Sequence, residues 1–186
     1  MKFLRKGLAV LVVLGLLLVA GSLLLPASTH VERSIVIDRP PAQVFLTVNS
    51  FQRFREWSPW AAYDPDAKYT FEGPASGVGA RMSWTGNRAV GSGSQEIVES
   101  LPGRRVGVAL NFDGNPAQAA YTLSPEGNGT RLTWSFDSHH GYNPMSRMFG
   151  LLFDRMLGPD YERGLAKLKV LLESEPRPAP VPDRPQ

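Results

Sequence analysis

The chain has 186 residues, 42% of them hydrophobic, and a formal net charge of +3, which suits a single domain with one core. Lys2, Arg5 and Lys6 account for that charge, so the remainder is formally neutral. A nucleic-acid binder needs a basic face to neutralise phosphates, and a neutral remainder with interspersed charges excludes that class. The absence of cysteine excludes disulfides, thiolate metal sites and cysteine nucleophiles.

An uncharged apolar segment extends from Gly7 to Leu25. As a helix rising about 1.5 Å per residue it would span roughly 28 Å, close to the hydrocarbon thickness of a bilayer. Basic residues precede it and none follows before Arg33, which predicts a cytoplasmic N-terminus and a domain on the extracytoplasmic side, periplasmic or extracellular. A cleaved signal peptide is the alternative, but its apolar region is usually about 7 to 15 residues long. We therefore expect an uncleaved single-pass signal anchor at residues 1–27.

The next segment predicts one strand and two short helices. The β-branched run VERSIVID predicts a first strand at residues 31–38. Pro40 and Pro41 then favour the start of a short helix over PAQVFLTVNS, because proline is tolerated in the first turn of a helix and not inside it. The stretch FQRFREW predicts a second short helix, which ends before Pro59.

Six short runs between Lys68 and Asp137 are separated by Gly, Pro and Asn. This regular spacing with tight turns predicts an antiparallel meander. In the last run, Leu132, Trp134 and Phe136 alternate with polar residues, which places them on one face of a strand. Together with the first strand, the meander predicts a sheet of about seven strands.

A long helix is predicted after the meander. Asn143 and Pro144 supply a capping residue and a first-turn proline. The helical pattern runs to about Leu172 and is interrupted at Gly158-Pro159. Its stretch MFGLLFDRML is apolar nearly all round, so it needs cover on more than one side.

The C-terminal end has a different composition. Five of the last eleven residues are proline, which predicts a disordered tail at 176–186. The predicted organisation is therefore an anchor at 1–27, a folded domain at 28–175 and this tail.

The order of strand, two short helices, meander and long C-terminal helix resembles the helix-grip fold of the SRPBCC or START-like superfamily. The stretches PPAQVF, WSPW, GVGARMSWTGN, GSGSQEIVESLPGRRV, NGTRLTWSF and GPDYERGLAKLK are similar to its polyketide cyclase or dehydrase and lipid transport branch. The resemblance implies an α+β fold in which a curved antiparallel sheet wraps around the long C-terminal helix, with a hydrophobic cavity between them. It implies no set of catalytic residues.

Large aromatic and methionine side chains are the candidate ligand-binding residues, because each aromatic ring can bury roughly 150–250 Å² and methionine adapts to irregular apolar partners. They are Trp57, Trp60, Tyr63, Trp84, Phe112, Trp134, Phe136, Met148, Phe149 and Phe153. Ordinary core packing is the alternative for each of them. In particular, the WSPW motif predicts either a structural plug or a gate at the cavity mouth, and the methionine-rich stretch either core or a lid hinged near Gly158-Pro159.

Three functions follow from this interpretation. The first is a membrane-anchored binding protein for a lipid or other hydrophobic small molecule. The second is an enzyme that cyclises or dehydrates its substrate by proton transfer, with His139 or His140 beside Asp137, Glu72 or Glu96. The third is a structural module whose core is filled by its own side chains. No cofactor or metal is expected, because adjacent histidines on an extended chain point to opposite sides.

Overall fold

The computed structural model describes residues 6, 7, 13, 15, 19 and 21–176. These residues form one antiparallel sheet of seven strands, with helices between its first two strands and after its last. The strands are β1 (Ser28–Ile37), β2 (Lys68–Glu72), β3 (Arg81–Thr85), β4 (Ser92–Leu101), β5 (Arg105–Phe112), β6 (Asn115–Glu126) and β7 (Gly129–His139). The helices are α1 (Pro41–Val48), α2 (Phe54–Trp57), α3 (Pro144–Gly150) and α4 (Phe153–Ser174), and a 3-10 turn spans Trp60–Ala62.

The strands lie in the order β1-β7-β6-β5-β4-β3-β2, so the chain crosses from one edge of the sheet to the other between β1 and β2. The remaining strands form the predicted meander. Its β5–β6 hairpin turns through two residues, Asp113 and Gly114, which both have positive φ. Positive φ at both central positions is typical of the tight turn that matches the twist of a hairpin. This turn fixes the pairing of Phe112 with Asn115.

The hydrophobic core lies between one face of the sheet and the helices. Leu132, Trp134 and Phe136 all point into it and are at most 3% exposed, as their alternation predicts. On α4, a stripe of side chains at helical spacing is buried against them: Tyr161, Leu165, Leu168 and Leu172. Burial of this stripe holds α4 on the sheet.

The predicted single long C-terminal helix is wrong. The structure has a helix of 7 residues, α3, followed by one of 22 residues, α4. The chain leaves the helical pattern at Leu151-Leu152, and Pro159 lies inside α4. Gly158 has a packing role instead, because a Cβ built on it would lie 2.1 Å from Arg33 Nη2. Asn143 caps α3 as predicted, with its side-chain oxygen accepting a hydrogen bond from the Ser146 N–H at 3.1 Å.

The apolar N-terminal segment falls partly outside the described residues, at positions 8–12, 14, 16–18 and 20. In the part of the chain that the structure describes, no helix has both the length and the apolarity needed to cross a membrane. The longest described helix, α4, carries charged residues along its exposed face. This finding overturns the predicted transmembrane helix, and with it the predicted single-pass localisation on the extracytoplasmic side.

A buried arginine joins three segments next to β1. Arg147 on α3 is 7% exposed. Its Nη1 donates to the carbonyl oxygens of Leu23 and Leu25 at 2.6 and 3.1 Å, and its Nε donates to the carbonyl oxygen of Gly141 at 2.8 Å. These bonds fix the chain that precedes β1, and the turn after β7, against α3.

Candidate ligand-binding cavity

A cavity of about 410 Å³ lies between the inner face of the sheet and the first half of α4. This volume is within the range of small-molecule sites, roughly 300–1,000 Å³. Its wall is built from α2 and the residues after it, strands β2 to β7, and α4. The lining residues are Phe54, Ser58, Trp60, Tyr69, Met82, Trp84, Val90, Gln95, Leu110, Phe112, Asn115, Pro116, Ala117, Ala119, Tyr121, Trp134, Phe136, Ser138, Phe153, Leu157 and Tyr161. Among the described residues that line it, none is Asp, Glu, Lys, Arg or His.

Small side chains on β6 explain why the interior is not filled. The inward positions of β6 are Ala117, Ala119, Tyr121 and Leu123, so small residues occupy its first half and large ones its second. Ala119 is the cross-strand partner of Phe136, and neither strand fills the space over this pair. The cavity therefore lies over the first half of β6, and the core is solid beyond it.

One end of the cavity, which we call the closed end, is an aromatic cluster formed by Trp60, Tyr121, Trp134 and Tyr161. The rings of Trp134 and Tyr161 stack with centroids 3.9 Å apart, and Tyr121 lies 5.4 Å from Trp134. Trp60 meets Trp134 edge-on at 5.8 Å. Gly164 makes this packing possible, because a Cβ there would lie 3.0 Å from the Trp134 ring. The rings of the closed end are therefore packed against one another.

Polar atoms at the closed end have no partner. Ser58 Oγ and Trp134 Nε1 are buried and form no hydrogen bond within the described part of the chain. The hydroxyls of Tyr121 and Tyr161 likewise form none with another described residue. Burial raises the pKa of both phenols well above the usual value, so both stay protonated at neutral pH. A ligand in the cavity would supply an acceptor for the two phenols, whereas Ser58 Oγ and Trp134 Nε1 have almost no accessible surface.

The other end, which we call the open end, reaches solvent. Phe112, Asn115 and Pro116 of the β5–β6 hairpin line it and are exposed. Phe153 and Leu157 of α4 line the cavity from the helix side and are partly exposed. Both sides of this opening are mainly apolar, so a hydrophobic molecule can enter here without passing a charged lining side chain.

Six of the ten candidate ligand-binding residues line the cavity: Trp60, Trp84, Phe112, Trp134, Phe136 and Phe153. Trp57 is 1% exposed and packs in the core behind the aromatic cluster. Tyr63 lies on the surface, where its hydroxyl donates to Asp160 Oδ1 at 2.7 Å. Met148 and Phe149 are exposed on α3, because the break after Gly150 separates that helix from the cavity wall.

Sequence reasoning missed several lining residues. Tyr121 continues the alternation that begins at Ala117 and Ala119, and this pattern of small then large inward side chains was a usable signal. Tyr161 belongs to the buried stripe of α4, and no local signal in the sequence distinguishes a packed ring from one that also borders a cavity. Gln95 gives no periodic signal, and it is buried on β4 and lines the cavity.

The acid–base arrangement proposed from the sequence is not formed at the cavity. Among the described lining residues there is no His139, His140, Asp137, Glu72 or Glu96. Asp137 is on the surface, with its Oδ1 at 2.7 Å from His30 Nδ1. His140 is buried beside the open end, where its ring lies 6.1 Å from that of Phe153.

An antiparallel sheet and a C-terminal helix that enclose an apolar cavity define a protein of the SRPBCC type, which confirms the resemblance. The family model for polyketide cyclase / dehydrase and lipid transport matches residues 28–173, and the chain belongs to that family. No curated protein matches the chain in sequence.

Solved structures share the fold at low sequence identity. Protein CV1439 from Chromobacterium violaceum is 17% identical, with a TM-score of 0.56 over 81% of this chain and 100% of that one. The Aha1 dimer from Colwellia psychrerythraea is 15% identical, with a TM-score of 0.53 over 78% and 97%. The di-domain ARO/CYC StfQ from the steffimycin biosynthetic pathway is 11% identical, with a TM-score of 0.57 over 79% and 52%. Identities this low show the fold alone.

Proposed function

We propose that this protein binds a hydrophobic small molecule, a lipid or another apolar compound, in the cavity between the sheet and α4. The observation that carries the proposal is an apolar chamber of about 410 Å³ with an apolar opening and no charged side chain among its described lining residues. Removing nonpolar ligand surface from water supplies the affinity of such a site. The chamber also argues against a structural module whose core is completely filled.

Binding is favoured over catalysis by the composition of the lining. Cyclisation or dehydration by proton transfer needs an acid and a base with pKa values near the working pH. The titratable groups on the described wall are the phenols of Tyr69, Tyr121 and Tyr161, and burial raises the pKa of each. Protonated phenols can orient a ligand by donating hydrogen bonds, but they are poor bases at neutral pH.

Filling the cavity tests the proposal. The uncharged fluorescent probe N-phenyl-1-naphthylamine should bind the wild-type protein, and Ala119→Trp should abolish that binding because its ring occupies the space over β6. Ala166→Trp is the matched control, because Ala166 is exposed on α4 and does not line the cavity. This variant should bind the probe as tightly as the wild type does. Native mass spectrometry of gently purified wild-type protein should also show a co-purified apolar molecule. A wild-type protein that carries no such molecule and does not bind the probe would refute the proposal.

A further inference from the structure

The closed end of the cavity carries two phenols whose hydroxyls have no acceptor. Tyr121 and Tyr161 are 3% and 2% exposed, and both line the cavity. Trp134 Nε1 and Ser58 Oγ are also unpaired within the described residues, but these two atoms have almost no accessible surface, so a ligand in the cavity does not reach them. Buried donors in folded proteins are nearly always paired, which makes the two hydroxyls a place for an acceptor that comes from outside the chain.

Both phenols lie against the ring of Trp134. Tyr161 stacks on Trp134 at 3.9 Å, and Tyr121 lies 5.4 Å from the same ring. Both belong to the cavity wall, and neither hydroxyl bonds to another described residue. Burial raises the pKa of each phenol, so each keeps its proton and can donate. Two phenol donors therefore border the cavity at its closed end.

The cavity offers no partner for a charge. Within the described lining there is no cationic or anionic side chain. Asp137, close in sequence to Phe136 and Ser138 of the wall, is engaged on the surface by His30. An ionised ligand group would lose its hydration at the closed end and gain no counter-ion, which is strongly unfavourable. A neutral acceptor loses far less hydration than an ion.

We propose that the closed end selects an uncharged molecule with a hydrogen-bond acceptor oxygen, such as a ketone or ester carbonyl, at its buried end. The acceptor would receive hydrogen bonds from the hydroxyls of Tyr121 and Tyr161, and the apolar body would fill the rest of the chamber. This inference depends on the proposed function, because it describes which hydrophobic molecule the cavity prefers.

Three probes of one shape test it: fluorene, 9-fluorenone and fluorene-9-carboxylate, each measured by equilibrium dialysis. Fluorenone adds a carbonyl oxygen to fluorene, and the carboxylate adds a charge. One or two new hydrogen bonds correspond to about tenfold in affinity, so fluorenone should bind about tenfold more tightly than fluorene. The carboxylate should bind most weakly. The infrared carbonyl stretch of bound fluorenone should lie below its value in an apolar solvent.

Removal of the two hydroxyls assigns the effect to the closed end. In a Tyr121→Phe, Tyr161→Phe double variant, the preference for fluorenone should fall at least threefold, and its carbonyl stretch should move back, while fluorene affinity stays unchanged. Tyr69→Phe is the matched control, because Tyr69 lines the cavity outside the aromatic cluster, and it should keep the preference.

The outcomes are distinguishable. If fluorene and fluorenone bind equally well, the selection of an acceptor is overturned and the proposed function stands. If the carboxylate binds as tightly as fluorenone, the selection of an uncharged molecule is overturned. If none of the three probes binds, the proposed function and this inference fail together.

Discussion

The two ends of the cavity are built differently. The closed end consists of rings that contact one another, with Trp134 between Tyr121 and Tyr161. The open end consists of a hairpin and the start of a helix, whose side chains reach solvent. The closed end therefore contributes to both folding and ligand orientation, whereas the open end contributes mainly to ligand contact. Substitutions at the two ends should separate these contributions.

The largest effect is expected at Trp134. Trp134→Ala removes the central ring of the cluster, and truncation of a buried aromatic residue typically costs about 3–5 kcal/mol. The free energy of unfolding, measured with urea, should fall by about that amount. A loss below roughly 1 kcal/mol would show that the cluster does not hold the fold together.

Phe112 tests the open end. Its ring is 41% exposed and meets Trp84 edge-on at 5.7 Å. Phe112→Ala should lower the free energy of unfolding by less than about 1 kcal/mol, because surface substitutions have small effects. The same substitution should still lower the affinity for N-phenyl-1-naphthylamine about tenfold, which corresponds to roughly 1.4 kcal/mol of lost binding free energy. An unchanged probe affinity would remove this residue from the binding surface.

A smaller, pH-dependent effect is expected beside the open end. Burial, together with the nearby His139 and Arg147, lowers the pKa of His140. The folded state then binds a proton less readily than the unfolded state, so stability is lost as the pH falls through about 6.5. The wild type should lose stability relative to His140→Gln between about pH 7.5 and 5.5, as followed by urea unfolding.

His30 provides the control with opposite sign. A hydrogen bond to Asp137 raises the pKa of His30, so its contribution is present below about pH 6.5 and is lost as the pH rises through the folded value. The wild type should therefore lose stability relative to His30→Gln on raising the pH. The same direction for both histidines would contradict their assigned environments.

The smallest effect is expected on α3. Phe149 is 55% exposed and lies outside the cavity wall, so Phe149→Ser should leave probe affinity unchanged and shift stability by no more than about 0.5 kcal/mol. Phe153→Ser, four residues later, removes a ring that lines the cavity and should lower the affinity for the probe several-fold. Equal effects of the two substitutions would mean that the break at Leu151-Leu152 does not separate α3 from the site.

The strands were predictable because their signals are local. Period-two alternation, as in Leu132 to Phe136, and turn residues such as Asp113-Gly114 act within a few positions. The helix break was not predicted, because Leu151 and Leu152 are good helix formers, although the preceding Gly150, where α3 ends, is a poor one. Gly158-Pro159 was misread because the glycine admits Arg33, which lies 125 positions earlier in the chain.

The site was predictable to the level of its chemistry but not of its orientation. The residue types indicated that aromatic side chains would line the site. Trp57 and Trp60, however, belong to one motif, and of these two only Trp60 borders the cavity. Spacing along the sequence cannot tell which ring turns toward a chamber and which toward the core. The unpaired state of Trp134 Nε1 is also a three-dimensional property, since it depends on the absence of an acceptor on every neighbouring element.

The guanidinium of Arg147 has a mechanical consequence. It holds carbonyl groups from the segment before β1 and from the turn after β7, so α3 cannot move away from either without exposing or unpairing a buried cation. A pulling force on the chain ahead of β1 would therefore be carried by this one side chain directly to α3 and to the turn after β7.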